Sequence, residues 1–174
     1  ELYLPVVGHL LASDKASERQ RTYAGWIAPR IALNRIGTPA ADFPFLLKNG
    51  RSATLYGVID SRGPDKTLLF FSNPGCPNCK EITDALSADP DIQQLIDSGK
   101  LLVVNIYPDE DLEAWLEYLP QYPSQWVCGH DSEGLLNSAT VYWLRAIPSL
   151  YLLDGGKRVI CKDATLEDIL LNCK

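Results

Sequence analysis

The chain has 174 residues, 46% of them hydrophobic and 22% charged, enough for one full-sized domain with a buried core and a little more. A net charge of −6 argues against a nucleic-acid partner, because phosphate binding needs a basic patch. No apolar run approaches the ~20 residues of a membrane-spanning helix, so no membrane span is expected in this chain.

Residues 1–36 read as a helical extension ahead of a main domain at 37–174. Ser17 and Glu18 mark a helix start, and Tyr23, Trp26, Ile27 and Ile31 recur at helical spacing. Pro29 is expected to kink or end that helix, and Gly37-Thr38-Pro39 marks the boundary. The helices are too few to hold a core alone, so they are expected to pack on the main domain or on a partner.

The pattern changes from Ala41 onward. Phe43 to Leu47 and Ser52 to Tyr56 flank Asn49-Gly50, a dipeptide favoured in tight hairpin turns. Thr67 to Ser72 and Leu101 to Tyr107 are apolar runs without alternation, the pattern of strands covered on both faces. Between them, Lys80 to Ile96 reads as helix, interrupted near Pro90. Leu112 to Leu119 is predicted helical, Gln125 to Cys128 a short strand, and Leu135 to Leu144 a helix. Leu150 to Leu153 and Arg158 to Lys162 form a hairpin through Asp154-Gly155-Gly156, and Leu166 to Asn172 is the last helix. The order implies an α/β fold, a mixed sheet flanked by helices, with a parallel crossover in its first half.

Five cysteines, at 76, 79, 128, 161 and 173, are an odd number and do not suggest a disulfide scaffold. Cys76-Pro77-Asn78-Cys79 stands between a buried strand and a helix. A helix N-terminus offers free N–H groups and the positive end of the dipole, both of which stabilise a thiolate. Pro77 suits the first turn because it has no N–H to lose. Cys76 is then the exposed nucleophile that attacks a disulfide, and Cys79, one turn further in, resolves the mixed disulfide. A zinc site needs four ligands, and only Cys128 and His130 are on offer besides, so no metal is expected. Cys161 and Cys173 read as buried structural thiols. Ile147-Pro148 stands just before the strand at 149–153; alone it would be a strand-start device.

These features together resemble the thioredoxin superfamily. Thr38-Pro39-Ala40-Ala41-Asp42-Phe43 and the following hairpin are similar to the TlpA/ResA-like group of exported bacterial oxidoreductases. The stretches 70–79 (FFSNPGCPNC) and 147–154 (IPSLYLLD) resemble variants from Bacteroides-type bacteria, which carry a helical segment ahead of the thioredoxin domain. The resemblance implies a thiol–disulfide oxidoreductase without cofactor, located in the periplasm or otherwise exported. It implies catalysis by Cys76 and Cys79, a cis-proline at Pro148 facing them, and a substrate face made by Gly75, Pro77, Asn78, Ile147 and Pro148. The expected partners are a protein disulfide substrate and a dithiol electron donor; reduction is the favoured direction because the neutral Asn78 adds no positive charge beside Cys76 and only the helix dipole stabilises its thiolate. No signal peptide is visible. The chain opens on Glu1 and holds no Met, so it is expected to be a processed or trimmed product.

Two positions depart from the pattern. Gly75 replaces the Trp that often precedes the first cysteine. Ile82 occupies the place of an acidic residue, so the resemblance assigns no proton acceptor to Cys79. Two rival readings share the fold: a peroxiredoxin-like peroxidase and a non-enzymatic binding module. The first typically has Thr or Ser where Asn73 stands, and the intact CxxC argues against the second.

Overall fold

The computed structural model describes residues 3–173. Two helices open the chain, α1 (Tyr3–Ala12) and α2 (Glu18–Ile31). Ser17 caps α2 in a reciprocal box with Gln20, which satisfies two otherwise orphaned N–H groups. Pro29 falls in the last turn, and the helix ends two residues later. Val7, Ala24, Ile27 and Ile31 form a small core of their own, closed by Trp143 from the main body. Asn34 ties the junction, donating to the Val141 carbonyl and accepting from the Ala41 N–H.

The hairpin β1 (Pro44–Leu47) and β2 (Ser52–Thr54) turns at Asn49-Gly50, where Gly50 has φ +76°. The second strand stops two residues short of the predicted end, because the Thr54 hydroxyl accepts from the Gly57 N–H and caps a helix, α3 (Leu55–Arg62). No helix is expected there from the sequence. Then follow β3 (Lys66–Phe71), α4 (Pro77–Ala88), α5 (Pro90–Asp97) and β4 (Leu101–Tyr107). The predicted break near Pro90 is real: the Asp89 carboxylate caps α5 by accepting from the N–H groups of Asp91 and Ile92.

Next come α6 (Leu112–Tyr118), β5 (Val127–His130), β6 (Ser149–Asp154), β7 (Val159–Cys161) and α7 (Leu166–Cys173). The strand expected at 125–128 lies two residues later. The helix expected at Leu135–Leu144 does not form; the segment is a series of turns. The Asp131 carboxylate takes the N–H groups of Leu135 and Leu136, and Ala139 adopts φ +52°, which no helix continues. The chain then carries Tyr142 into the core, edge-on to Phe43 and Tyr151, with its hydroxyl on the Ala41 carbonyl.

The seven strands form one mixed sheet in the order β2-β1-β5-β4-β3-β6-β7. Strands β3, β4 and β5 run parallel, and β1 and β6 join them antiparallel. Alternation along β3 sends Leu69 and Phe71 to a core shared with α3 and Tyr142, and Leu68 and Phe70 to a second core under α4, α5 and α7. A Cβ at Gly129 would meet the Phe45 ring at 2.3 Å, so only glycine fits where β5 passes that ring. No helix among the described residues is long and apolar enough to cross a membrane.

Candidate active site

The dithiol stands where β3 gives way to α4. Asn73-Pro74-Gly75 makes the turn, and Gly75 at φ +70° takes a conformation that L side chains rarely adopt. A Trp would be strained in this backbone conformation. Cys76 is the N-cap of α4 and Pro77 its first residue. The Cys79 N–H points at the Cys76 sulfur, 3.2 Å away, in the place a capping oxygen would take. The Cys76 carbonyl accepts from Lys80 and closes the first turn. Both thiols are free. Gly75, Pro77 and Asn78 are exposed, Cys76 is half-buried, and Cys79 is only 3% exposed.

That difference sets the electrostatics. Burial pushes the Cys79 thiol up to about 12, and its hydrogen bond with Cys76 adds to the effect. The nearby main chain of Asn73 works in the opposite direction.

Register brings Ile147 and Pro148 to the same end of the sheet. Ser149, the first residue of β6, pairs with Phe71, the last of β3, so Pro148 lies just beyond the rung from which the dithiol loop departs. The Ile147–Pro148 peptide bond is cis. Ile147 and Cys76 border the same core of Leu68, Phe70 and Cys79.

Several polar groups around this loop escape sequence reasoning. Ser72 is fully buried, donates to Asn105 Oδ1 at 2.6 Å and meets the Tyr122 hydroxyl at 3.0 Å. Burial raises the neighbouring Cys128 thiol to about 11, against the pull of the Asn105 side chain. Asn73 Nδ2 donates to Asp109 Oδ2 at 2.5 Å. The Asp109 carbonyl accepts from His130 Nε2 at 2.8 Å, and the His130 ring is stacked between Tyr107 and Trp115. A carbonyl oxygen only accepts, so Nε2 carries the proton. The one available signal was a polar residue closing or interrupting an apolar strand run, as Ser72 and Asn105 do. Among the described residues no three His, Cys, Asp or Glu side chains gather as a metal site, so Cys128 and His130 gain no third ligand. Cys161 and Cys173 are both free; Cys173 is buried in the core under α7 as expected, whereas Cys161 beside it is only half-buried.

This arrangement defines a thioredoxin-like protein, a mixed sheet with a dithiol at the N-terminus of a helix. Its solved neighbours agree. A thioredoxin-like protein from Bacteroides caccae is 37% identical, with a TM-score of 0.91 over 98% of this chain; the chain spans 60% of that protein's length. The C-terminal domain of an uncharacterized Bacteroides fragilis protein is 41% identical, with a TM-score of 0.74 over 80% of this chain and 97% of that one. The thioredoxin domain of a thiol–disulfide oxidoreductase from Bacteroides vulgatus superposes at 0.64 over 79% of this chain and 96% of its own, at 18% identity, a likeness of fold. No family model and no curated protein matches the chain. The chain belongs to the thioredoxin-like family of these Bacteroides proteins.

Proposed function

We propose that this chain is a thiol–disulfide oxidoreductase that reduces protein disulfides through Cys76 and Cys79. The observation that carries the reading is the Cys79 N–H aimed at the half-exposed sulfur of Cys76 at the head of α4. A thiolate there is stabilised by that hydrogen bond and by the helix dipole. Cys76 attacks a substrate disulfide; one S–S bond breaks, a mixed disulfide forms, and the leaving sulfur takes up a proton. Cys79 then loses its proton and attacks the Cys76 sulfur. The substrate leaves as a dithiol, and the protein holds the two-electron oxidised disulfide. A dithiol donor protein returns the electrons.

Gly75, Pro77 and Asn78 on one side and Ile147 and Pro148 on the other form the substrate face, where main chain pairs with an extended substrate segment. Pro77 and Asn78 add no positive charge beside Cys76. The potential is therefore placed nearer the reducing end, about −270 mV, than the oxidising end, about −120 mV. The Bacteroides vulgatus neighbour is named for this activity, and an exported location follows from the resemblance to the TlpA/ResA-like group. Residues 1–36 act as an extension clamped to the 37–174 domain, which the Asn34 and Trp143 contacts support.

The test is insulin reduction with a peroxide-consumption control. Insulin turnover without peroxide turnover is the expected result. Peroxide turnover alone would make the protein a peroxidase, and neither activity would make it a binding module.

A further inference from the structure

The helical extension leaves a groove open where it meets the main body. Tyr3, Val6 and Trp26 from α1 and α2 line one side of about 770 Å³ of space, and Trp143 and Arg145 line the other. Tyr3, Tyr23 and Trp26 stay 59%, 57% and 50% exposed. The extension does not need them for its own packing, because Val7, Ala24, Ile27 and Ile31 already form its core. Rings and guanidinium groups alternate along the groove. Arg30 lies over Trp26 at 4.1 Å, Trp26 meets Trp143 edge-on at 6.4 Å, and Arg145 lies 5.8 Å from the Trp143 ring and 5.9 Å from the Tyr3 ring. Aromatic and arginine side chains carry most of the energy at protein interfaces, and an apolar cleft with a few charged groups at a junction of structural units is the usual form of a binding site.

The groove is continuous with the substrate face. Trp143 and Arg145 stand on the segment that runs on into Ile147 and Pro148, and Arg145 is three residues before Pro148, at most ~10 Å of extended chain. Asp163, also in the groove wall, ties it to the same place from the other side. Its carboxylate meets Arg145 Nη2 at 3.5 Å and accepts from the Ser149 hydroxyl at 3.4 Å. Ser149 opens β6 opposite Phe71, the last residue of β3 before the dithiol turn. The mouth of the groove and the dithiol therefore share one end of the sheet.

We propose that this groove seats an aromatic or large aliphatic side chain of the polypeptide substrate, three to five residues from the cysteine under attack, so that the extension selects disulfides in extended segments with apolar flanks. This rests on the reading of Cys76 and Cys79 as a working dithiol. A substrate strand laid along Ile147 and Pro148 advances ~3.3 Å per residue, and its third to fifth residues arrive at Arg145 and Trp143. A disulfide held inside a folded protein does not reach the dithiol and the groove together. Trp26 and Tyr23 lie outside the residues that handle the disulfide itself, so selection separates from chemistry.

The test mixes reduced protein with symmetrical disulfides of short glycine–serine peptides that have a central cysteine. One set carries phenylalanine three, four or five residues from that cysteine, on either flank; the other carries serine throughout. Each reaction releases two peptide thiols and closes the Cys76–Cys79 disulfide, with no other reductant. Phenylalanine on at least one flank is expected to raise the second-order rate constant by roughly 5- to 20-fold, as burial of an aromatic ring does after its ordering cost. Trp26→Ser and Tyr23→Ser are each expected to bring that preference below about twofold. Both should reduce 5,5′-dithiobis(2-nitrobenzoate), too small to span to the groove, within about twofold of the parent rate. If Trp26→Ser does not fold, Tyr23→Ser, at the more exposed of the two side chains, decides the matter. The proposal fails if the parent reduces phenylalanine and serine peptides alike, or if the preference survives the variants. A dimer that Trp26→Ser takes apart, with the peptide preference unchanged, would give the groove to a second copy of this chain and overturn it too. A parent protein that leaves 5,5′-dithiobis(2-nitrobenzoate) unreduced would instead overturn the dithiol reading itself.

Discussion

Two pairs of cysteines border the same core, and the fold gives them opposite surroundings. Cys76 and Cys79 stand at the head of α4, where N–H groups point outward and a turn leaves one sulfur half-exposed. Cys161 ends β7 and Cys173 ends α7, at the negative end of a helix dipole. Burial pushes Cys173 up to about 11, against the pull of the Lys66 ammonium, and burial followed by the Asp168 carboxylate raises Cys161. Lys66 is itself occupied with the carbonyls of Asn172 and Cys173. Each pair has one half-buried and one buried cysteine, so exposure does not separate them; the end of the helix at which they stand does.

The sharpest way to break this contrast is to mutate each pair. Cys76→Ser is expected to lower insulin reduction by ~10³-fold or more, as loss of a nucleophile does. Cys79→Ser should leave the first step intact and accumulate a mixed disulfide with substrate. Cys161→Ser and Cys173→Ala should stay within about twofold of the parent. Comparable losses in both pairs, measured by insulin turnover and by mass spectrometry of trapped adducts, would erase the distinction.

The same contrast shows what a sequence makes legible. The dithiol, its strand and its helix follow from local rules: an unbroken apolar run, a CxxC and a proline at the first helical position, all within about fifteen residues. The hairpins at Asn49-Gly50 and Asp154-Gly155-Gly156 were readable for the same reason, because turn chemistry is local. Helix α3 was not, since its cap, Thr54, also ends a strand and only Leu55 and Ile59 of its eight residues are buried. Leu135 to Leu144 misled because Leu136 and Tyr142 are both core residues, and only the tertiary position of the Phe43–Phe71–Tyr151 rings shows that Tyr142 arrives from a loop. The Asn73–Asp109–His130 chain was hidden in the same way. Each of its contacts joins residues more than twenty apart, which no local pattern encodes.

A second, smaller effect concerns reactivity. With limiting iodoacetamide at pH 8, Cys76 is expected to be alkylated first. Thiols held near 11 or 12, as Cys128, Cys173 and Cys79 are, are ionised to about 0.1% or less at that pH, and only the thiolate reacts. Peptide mapping of the singly labelled protein reads the order directly. Preferential labelling of Cys79 would reverse the assigned roles, and labelling of Cys173 would contradict its burial.

The smallest effect joins stability to pH. Cys79, Cys128 and Cys173 have folded values raised above the usual thiol value near 9. Above pH 9 the unfolded chain gives up these protons while the folded chain keeps them, so the folded state binds more protons and stability falls as pH rises. The contribution is fully present below about pH 9 and is lost on the way to pH 11–12. Each group adds at most about 1.4 kcal/mol per pH unit to the slope. Tyr122, Tyr142 and Tyr151, also raised by burial, act with the same sign from about pH 10. Cys173→Ala isolates one term. It should cost ~1 kcal/mol at pH 7, the loss of a small buried group and the gap it leaves. Between pH 9 and 10.5 its urea midpoints should then fall less steeply than the parent's, because one proton fewer separates the two states. Parallel curves for the two proteins would mean that the Cys173 thiol ionises in the folded state as readily as in the unfolded one, and the contrast between the two pairs would lose its electrostatic basis.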